Sequence, residues 1–166
     1  MTKSKGESAN AKPEAETLSP PQVHRIIAEG DAGALVEFAQ RIGRKLAEVG
    51  LGVRSLRSLL ADMHVIELTW PVTAEHAQRQ ILLLKPKIMY LSKRDMTLPD
   101  TQKSPVIEEL WQTVSSAVDI VMACPDESRF GEYGKTTESE RQMAFVRLIH
   151  FLEAILAYHR YHSSTD

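Results

Sequence analysis

Cysteine is nearly absent from this sequence: Cys124 is the single one among 166 residues. An intramolecular disulfide is therefore excluded, and a reducing, cytoplasmic setting is the expected one. Long apolar runs are missing as well. The longest purely aliphatic stretch is residues 81–84, far short of the roughly 20 residues that a membrane-crossing helix needs. The N-terminus carries no apolar signal core, only the polar residues 2–19. Aromatic residues are scarce at 6%, and no stretch shows the strict alternation of a half-buried strand. Net positive charge, common in nucleic-acid binders, is missing too, since the whole chain carries −2.

What is present is ordinary for one globular domain: 43% hydrophobic and 25% charged residues, in a chain long enough to bury a core without staples. Residues 1–20 are rich in Lys, Glu, Ser, Ala and Pro and have too little apolar surface to offset ordering entropy, so they read as a disordered extension. Residues 21–162 read as a helical-bundle domain. Pro21 suits the first turn of a short helix over residues 22–29 that stops at Gly30. Leu35, Phe38, Ala39, Ile42, Leu46 and Val49 then recur at spacings of three and four, the stripe of an amphipathic helix.

Val53, Leu56, Leu59, Leu60, Met63 and Ile66 form a second stripe, ending near Trp70-Pro71. A third carries Ile81, Leu84, Ile88 and Leu91, with Thr73 as cap and Pro86 inside, where a kink is expected. Ser104-Pro105 opens a fourth, bearing Ile107, Leu110, Trp111, Val114, Val118 and Val121 and ending before Pro125. Residues 125–136, with Gly131 and Gly134, read as a loop. Thr137 and Glu140 fit a capping box for a final helix carrying Ala144, Leu148, Phe151, Ile155 and Tyr158. The expected fold is all-α, a compact bundle of five main helices.

Signals for catalysis are thin. The glycine pairs at 30/33, 50/52 and 131/134 lack the strand-to-helix setting of a phosphate-binding loop. Cys124 ends an apolar helix face, where an inert buried thiol is expected. His159 with His162, and Asp62 with His64, offer pairs but no third ligand by spacing, so no metal and no cofactor are expected.

Charge becomes informative once divided along the chain. Residues 31–94 hold ten Lys/Arg against six Asp/Glu, or +4, while residues 95–166 hold six against twelve, or −6. Such asymmetry suggests one anion-facing side. Arg41, Arg44 and Lys45 share a helix face, with Glu48 one turn beyond as a competing partner. Arg54 and Arg57 lie three apart on the next helix. Lys85, Lys87, Lys93 and Arg94 follow on the third, with no acid among residues 85–94. Several cations on rigid helices suit an RNA backbone, with arginine adding bidentate phosphate contacts. A solvated face with local ion pairs is the competing account of the same pattern.

Three stretches sharpen the choice. Val53-Arg54-Ser55-Leu56-Arg57-Ser58-Leu59-Leu60 resembles the start of the second helix in the small subunit of type III-A CRISPR effector (Csm) complexes. Leu84-Lys85-Pro86-Lys87-Ile88-Met89-Tyr90, followed by Lys93-Arg94, resembles that family's Leu-Lys-Pro-Arg/Lys-x-x-Tyr segment. Residues 151–161, ending Ala157-Tyr158-His159-Arg160-Tyr161, resemble its C-terminal helix. Departures are Gly50-Leu51-Gly52-Val53 in place of a hydroxyl cap, His162-Ser163 in place of terminal glycines, and the polar N-terminal extension.

The resemblance implies a non-catalytic helical subunit that stacks beside copies of itself along the backbone and large subunits of the complex. It would line a channel holding guide RNA and target RNA. By the resemblance, Arg57, Lys85, Lys87 and Arg94 occupy the family's basic positions. Arg41, Arg44, Lys45, Arg54 and Lys93 are candidates from the face pattern. A helical adaptor that binds protein alone is the alternative.

Overall fold

The computed structural model describes residues 19–50, 53–70, 74–96, 105–126 and 138–163. All regular structure among them is helical, and none of these helices is long and apolar enough to cross a membrane. The expected disordered extension falls, up to residue 18, outside the described residues.

Two prolines open α1, Pro20–His24, where their missing amide donors cost nothing. The Ser19 amide and hydroxyl both donate to Gln22 Oε1, at 2.8 and 2.9 Å. This local closure starts the helix two residues before the expected position. The chain continues as a π-helical turn, Arg25–Glu29, and stops at Gly30 with φ 75°, where a side chain would be strained. Arg147 donates to the carbonyls of Ile27 (3.3 Å) and Ala28 (2.6 Å), serving oxygens at the end of that turn.

Helix α2, Ala32–Glu48, is capped by Asp31, whose side chain accepts from the Ala34 amide at 2.9 Å. That bond, with the Arg25 guanidinium alongside, holds the Asp31 carboxyl below its usual range. Helix α3, Arg54–Thr69, starts without a side-chain cap, as the replacement of a hydroxyl by Val53 implies. Helix α4, Ala74–Met96, runs as one element through Pro86, which is exposed on its outer side. Helix α5 is Pro105–Ala123 and α6 is Glu140–Ser163. The expected caps Thr73, Ser104 and Thr137 lie outside the described residues, as does the loop from residue 127. For α6, the cap contact falls to Ser139, whose hydroxyl accepts from the Gln142 amide at 3.1 Å.

Helix α6 is the centre of the bundle. It packs against α2, α3, α5 and the π turn, while α4 packs outside on α3 and α5. Its burial shows why. Of the expected stripe, Ala144, Leu148, Phe151 and Ile155 are buried and Tyr158 is half-buried, and a second stripe of Phe145, Ile149 and Leu152 is buried as well. Trp70, at the end of α3, sets its ring 5.5 Å from that of Phe145. Each fully buried large side chain contributes about 1.5–3 kcal/mol of burial free energy.

Helices α2 and α6 approach closely at Gly43. A Cβ added there would lie 2.7 Å from Tyr158 Cβ and 2.8 Å from the Ile155 carbonyl oxygen. Both obstacles belong to the backbone or its first side-chain atom, so neither can swing aside. Gly43→Ala is therefore expected to lower the unfolding free energy by about 1–3 kcal/mol in urea denaturation. Unchanged stability would show that the two helices can part at no cost.

Candidate nucleic-acid interface

Helices α3 and α4 run antiparallel, since residues 55 and 62 of α3 meet residues 94 and 87 of α4 in that crossed order. Leu56, Leu59, Leu60, Met63 and Ile66 from α3, with Ile81, Leu84, Ile88 and Leu91 from α4, are buried and leave the polar residues on the outer seam. Lys87 and Arg94 lie on this seam, meeting Asp62 and Ser55; Arg54 and Arg57 at the start of α3, and Lys93 in the last turn of α4, are exposed near its end.

Arg54, Arg57 and Lys93 are exposed and make no ion pair with another described residue. Lys87 reaches across the seam to the Asp62 carboxylate and, at 3.5 Å, to the Ser58 carbonyl. Arg94 donates to the Ser55 hydroxyl and lies 3.9 Å from Asp95 Oδ1. The Ser55 hydroxyl in turn donates to Asp95, which also accepts from Trp111 Nε1 at 3.3 Å. Ser55 and Asp95 are both 2% exposed. A buried carboxylate thus fixes the hydroxyl that receives Arg94, and ties the ends of α3, α4 and α5 together.

The other expected cations are placed elsewhere. Lys85 turns to the opposite flank of α4 and pairs with Asp119 of α5. Two residues on a helix differ by about 200° of rotation, so Lys85 and Lys87 cannot share a flank. Arg41, expected as a free surface charge, bridges α2 to α5 through Glu109 at 2.7 Å, and its guanidinium lies 4.8 Å over the Phe38 ring. Arg44 pairs with Glu48 at 3.2 Å, the competing partner visible in the sequence. Lys45 is half-buried on α2, which packs chiefly on α6 rather than on the seam. Of the nine cations, five thus lie on or near the seam, Lys85, Arg41 and Arg44 are held in local pairs, and Lys45 lies on α2 away from both.

The sequence reading missed two parts of the site. Buried Asp95 and Ser55 are short polar residues next to arginines, with no spacing signal to mark them. Tyr90 is 64% exposed on α4, beside the seam.

Among the described residues, no group of three or more His, Cys, Asp and Glu side chains is placed to hold a metal ion. Partial burial, with Glu140 nearby, pushes the Cys124 thiol up, which keeps it protonated and poorly nucleophilic at neutral pH. His64 bridges α3 to α6, with Glu67 and Glu153 each 3.3 Å from its ring nitrogens.

A family model described as Csm2 Type III-A matches residues 29–165 of the chain. Neither the curated proteins nor the solved structures give a match.

Stability separates structural cations from surface ones. Arg41→Ala removes the partner of a Glu109 carboxylate that is 5% exposed and should destabilise the fold by about 2–3 kcal/mol. Arg57→Ala, at an exposed side chain that makes no ion pair with another described residue, should shift it by no more than about 0.5 kcal/mol. Chemical denaturation of both variants checks the division, and equal losses would contradict it.

Proposed function

The chain belongs to the Csm2 Type III-A family and is a small subunit of the type III-A CRISPR Csm complex; from that premise we propose that its α3–α4 seam is the wall it presents to RNA. In this reading the subunit is non-catalytic. It stacks beside neighbouring copies along the backbone and large subunits, and its seam contacts the backbone of guide and target RNA. Sequence is read by base pairing, while the subunit supplies charge and shape.

One observation carries the reading. Arg54 and Arg57 sit in the first turn of α3, which has no acidic residue and no side-chain cap. Cations at the positive end of a helix dipole are unfavourable, and unsatisfied amides there add to the effect. Lys93 and Arg94, in the last turn of α4, come to the same end of the seam. An anionic partner relieves this concentration of positive charge. Asp62 offsets Lys87 in part, and Asp95 is buried beneath the surface. Lys85, Arg41, Arg44 and Lys45 lie off the seam and are assigned no part in its RNA contacts.

The protein-facing side of the reading has its own support. Farther along the α3–α4 groove, Val65 (61% exposed) and Leu83 (54%) line a recess of about 340 Å³ that begins at Asp62 and Lys87, and Leu68 (77%) is exposed on α3 as well. A subunit in contact with other subunits has a use for such surface. An adaptor that binds protein alone would use this patch and leave the cations without a role.

Filter binding of single-stranded RNA across a salt series tests the seam. Log affinity should fall linearly with log salt, and Arg54→Ala with Arg57→Ala should reduce the slope by about 1.4, near 0.7 for each phosphate no longer neutralised. A flat salt response in the unaltered chain, or a double variant with an unchanged slope, would favour the adaptor.

A further inference from the structure

The geometry points to Tyr90 as a stacking platform for an unpaired RNA base, so that the seam binds single-stranded RNA through ring contact as well as charge. This rests on the reading of the seam as an RNA-facing wall.

The described aromatic side chains are otherwise used inside the fold or away from the seam. Trp70, Trp111, Phe145 and Phe151 are buried in the core. Phe38 is half-buried beneath the Arg41 guanidinium, and Tyr158 packs against the core. Tyr161 is exposed, but it lies near the end of α6 with its ring edge-on to His162 at 5.1 Å. Tyr90 differs in its surroundings. Tyr90 is 64% exposed, and Met89 beside it is 72% exposed, so the fold gains little from either side chain.

The helical neighbours of Tyr90 are cationic. Lys87 lies one turn before it, while Lys93 and Arg94 lie one turn after. Asp95, the carboxylate on α4 next to these cations, is 2% exposed and accepts from the Ser55 hydroxyl, while Asp62 of α3 pairs with Lys87. The Arg94 guanidinium lies over the ring, 6.0 Å from its centroid, and is held from behind by Ser55 and Asp95. An aromatic face with a tethered guanidinium on one side and lysines along its flanks meets both needs of a single-stranded nucleotide. The ring takes the base, and the ammonium groups take the adjoining phosphates. A fully paired duplex keeps its base faces stacked on one another and cannot use the ring, so the ligand is an unpaired segment.

The test is fluorescence anisotropy with the full-length chain at low salt, using a short labelled oligouridylate and an oligonucleotide of the same length with abasic sites. Tyr90→Ala should weaken binding of the intact RNA about tenfold while leaving the salt slope unchanged, and Tyr90→Phe should retain affinity. The abasic RNA should bind the unaltered chain about as weakly as Tyr90→Ala binds the intact RNA. Equal binding of intact RNA by Tyr90→Ala and the unaltered chain would overturn the platform while leaving the charged seam in place. So would an equal loss on abasic and intact RNA, which would make the ring a packing or protein contact. No salt-sensitive RNA binding by the unaltered chain would overturn both the platform and the seam that supports it.

Discussion

The close seating of α2 against α6 is the constraint on which the remaining architecture depends. Gly43 lets the two backbones approach within the space of a missing methyl group, with Tyr158 Cβ and the Ile155 carbonyl directly opposite. That seating uses one face of α6 and leaves another to be covered by α3 and α5. The two buried stripes of α6 follow from this, and so does the outer position of α4. Because α4 lies outside, its cations and Tyr90 stand at the surface rather than within the bundle. The charged seam is thus a consequence of how the core closes.

Much of this was legible in the sequence. Ile81, Leu84, Ile88 and Leu91 were expected on one face of the third main helix, and all four are buried. The same holds for Ile107, Leu110, Trp111, Val114, Val118 and Val121 of α5. A single stripe at spacings of three and four marks a helix with one buried face, and these helices have one. Helix α6 departs from that premise. Its second stripe, Phe145, Ile149 and Leu152, is invisible to a one-face template because a central helix touches neighbours on two sides. The cap of the same helix illustrates a smaller limit: Thr137 and Ser139 both suit the role by residue type, and the amide of Gln142 meets Ser139.

The candidate site was less legible, for a different physical reason. Helical spacing shows which cations share a helix face but not which acid, distant in the chain, will meet them. Glu109 lies 68 residues from Arg41, and Asp119 lies 34 from Lys85; no local pattern marks either pairing. Arg44 with Glu48 is the exception, since its partner is four residues away. Residue proximity also misleads on rotation, and this divided Lys85 from Lys87. On or near the seam the fold leaves five cations drawn from two helices, with Ser55 and Asp95 buried behind Arg94. Two motifs quoted for the family resemblance, residues 53–60 and residues 84–94, come together at this seam. The family match over residues 29–165 includes both.

The net charge of −2 no longer argues against an RNA-facing role, because the fold sorts charge more finely than composition does. Lys85, Arg41 and Arg44 are matched by acids in their own neighbourhoods, while Arg54, Arg57 and Lys93 stand near an uncapped helix start. In the proposed reading, RNA lies along this seam in the assembled complex. Ultraviolet cross-linking of the complete ribonucleoprotein, followed by mass spectrometry of this subunit, tests it most directly. Adducts on peptides carrying residues 54–57 and 87–94 are the predicted result. Adducts confined to α2 or α6, or an unmarked subunit in a complex whose other subunits are marked, would contradict it.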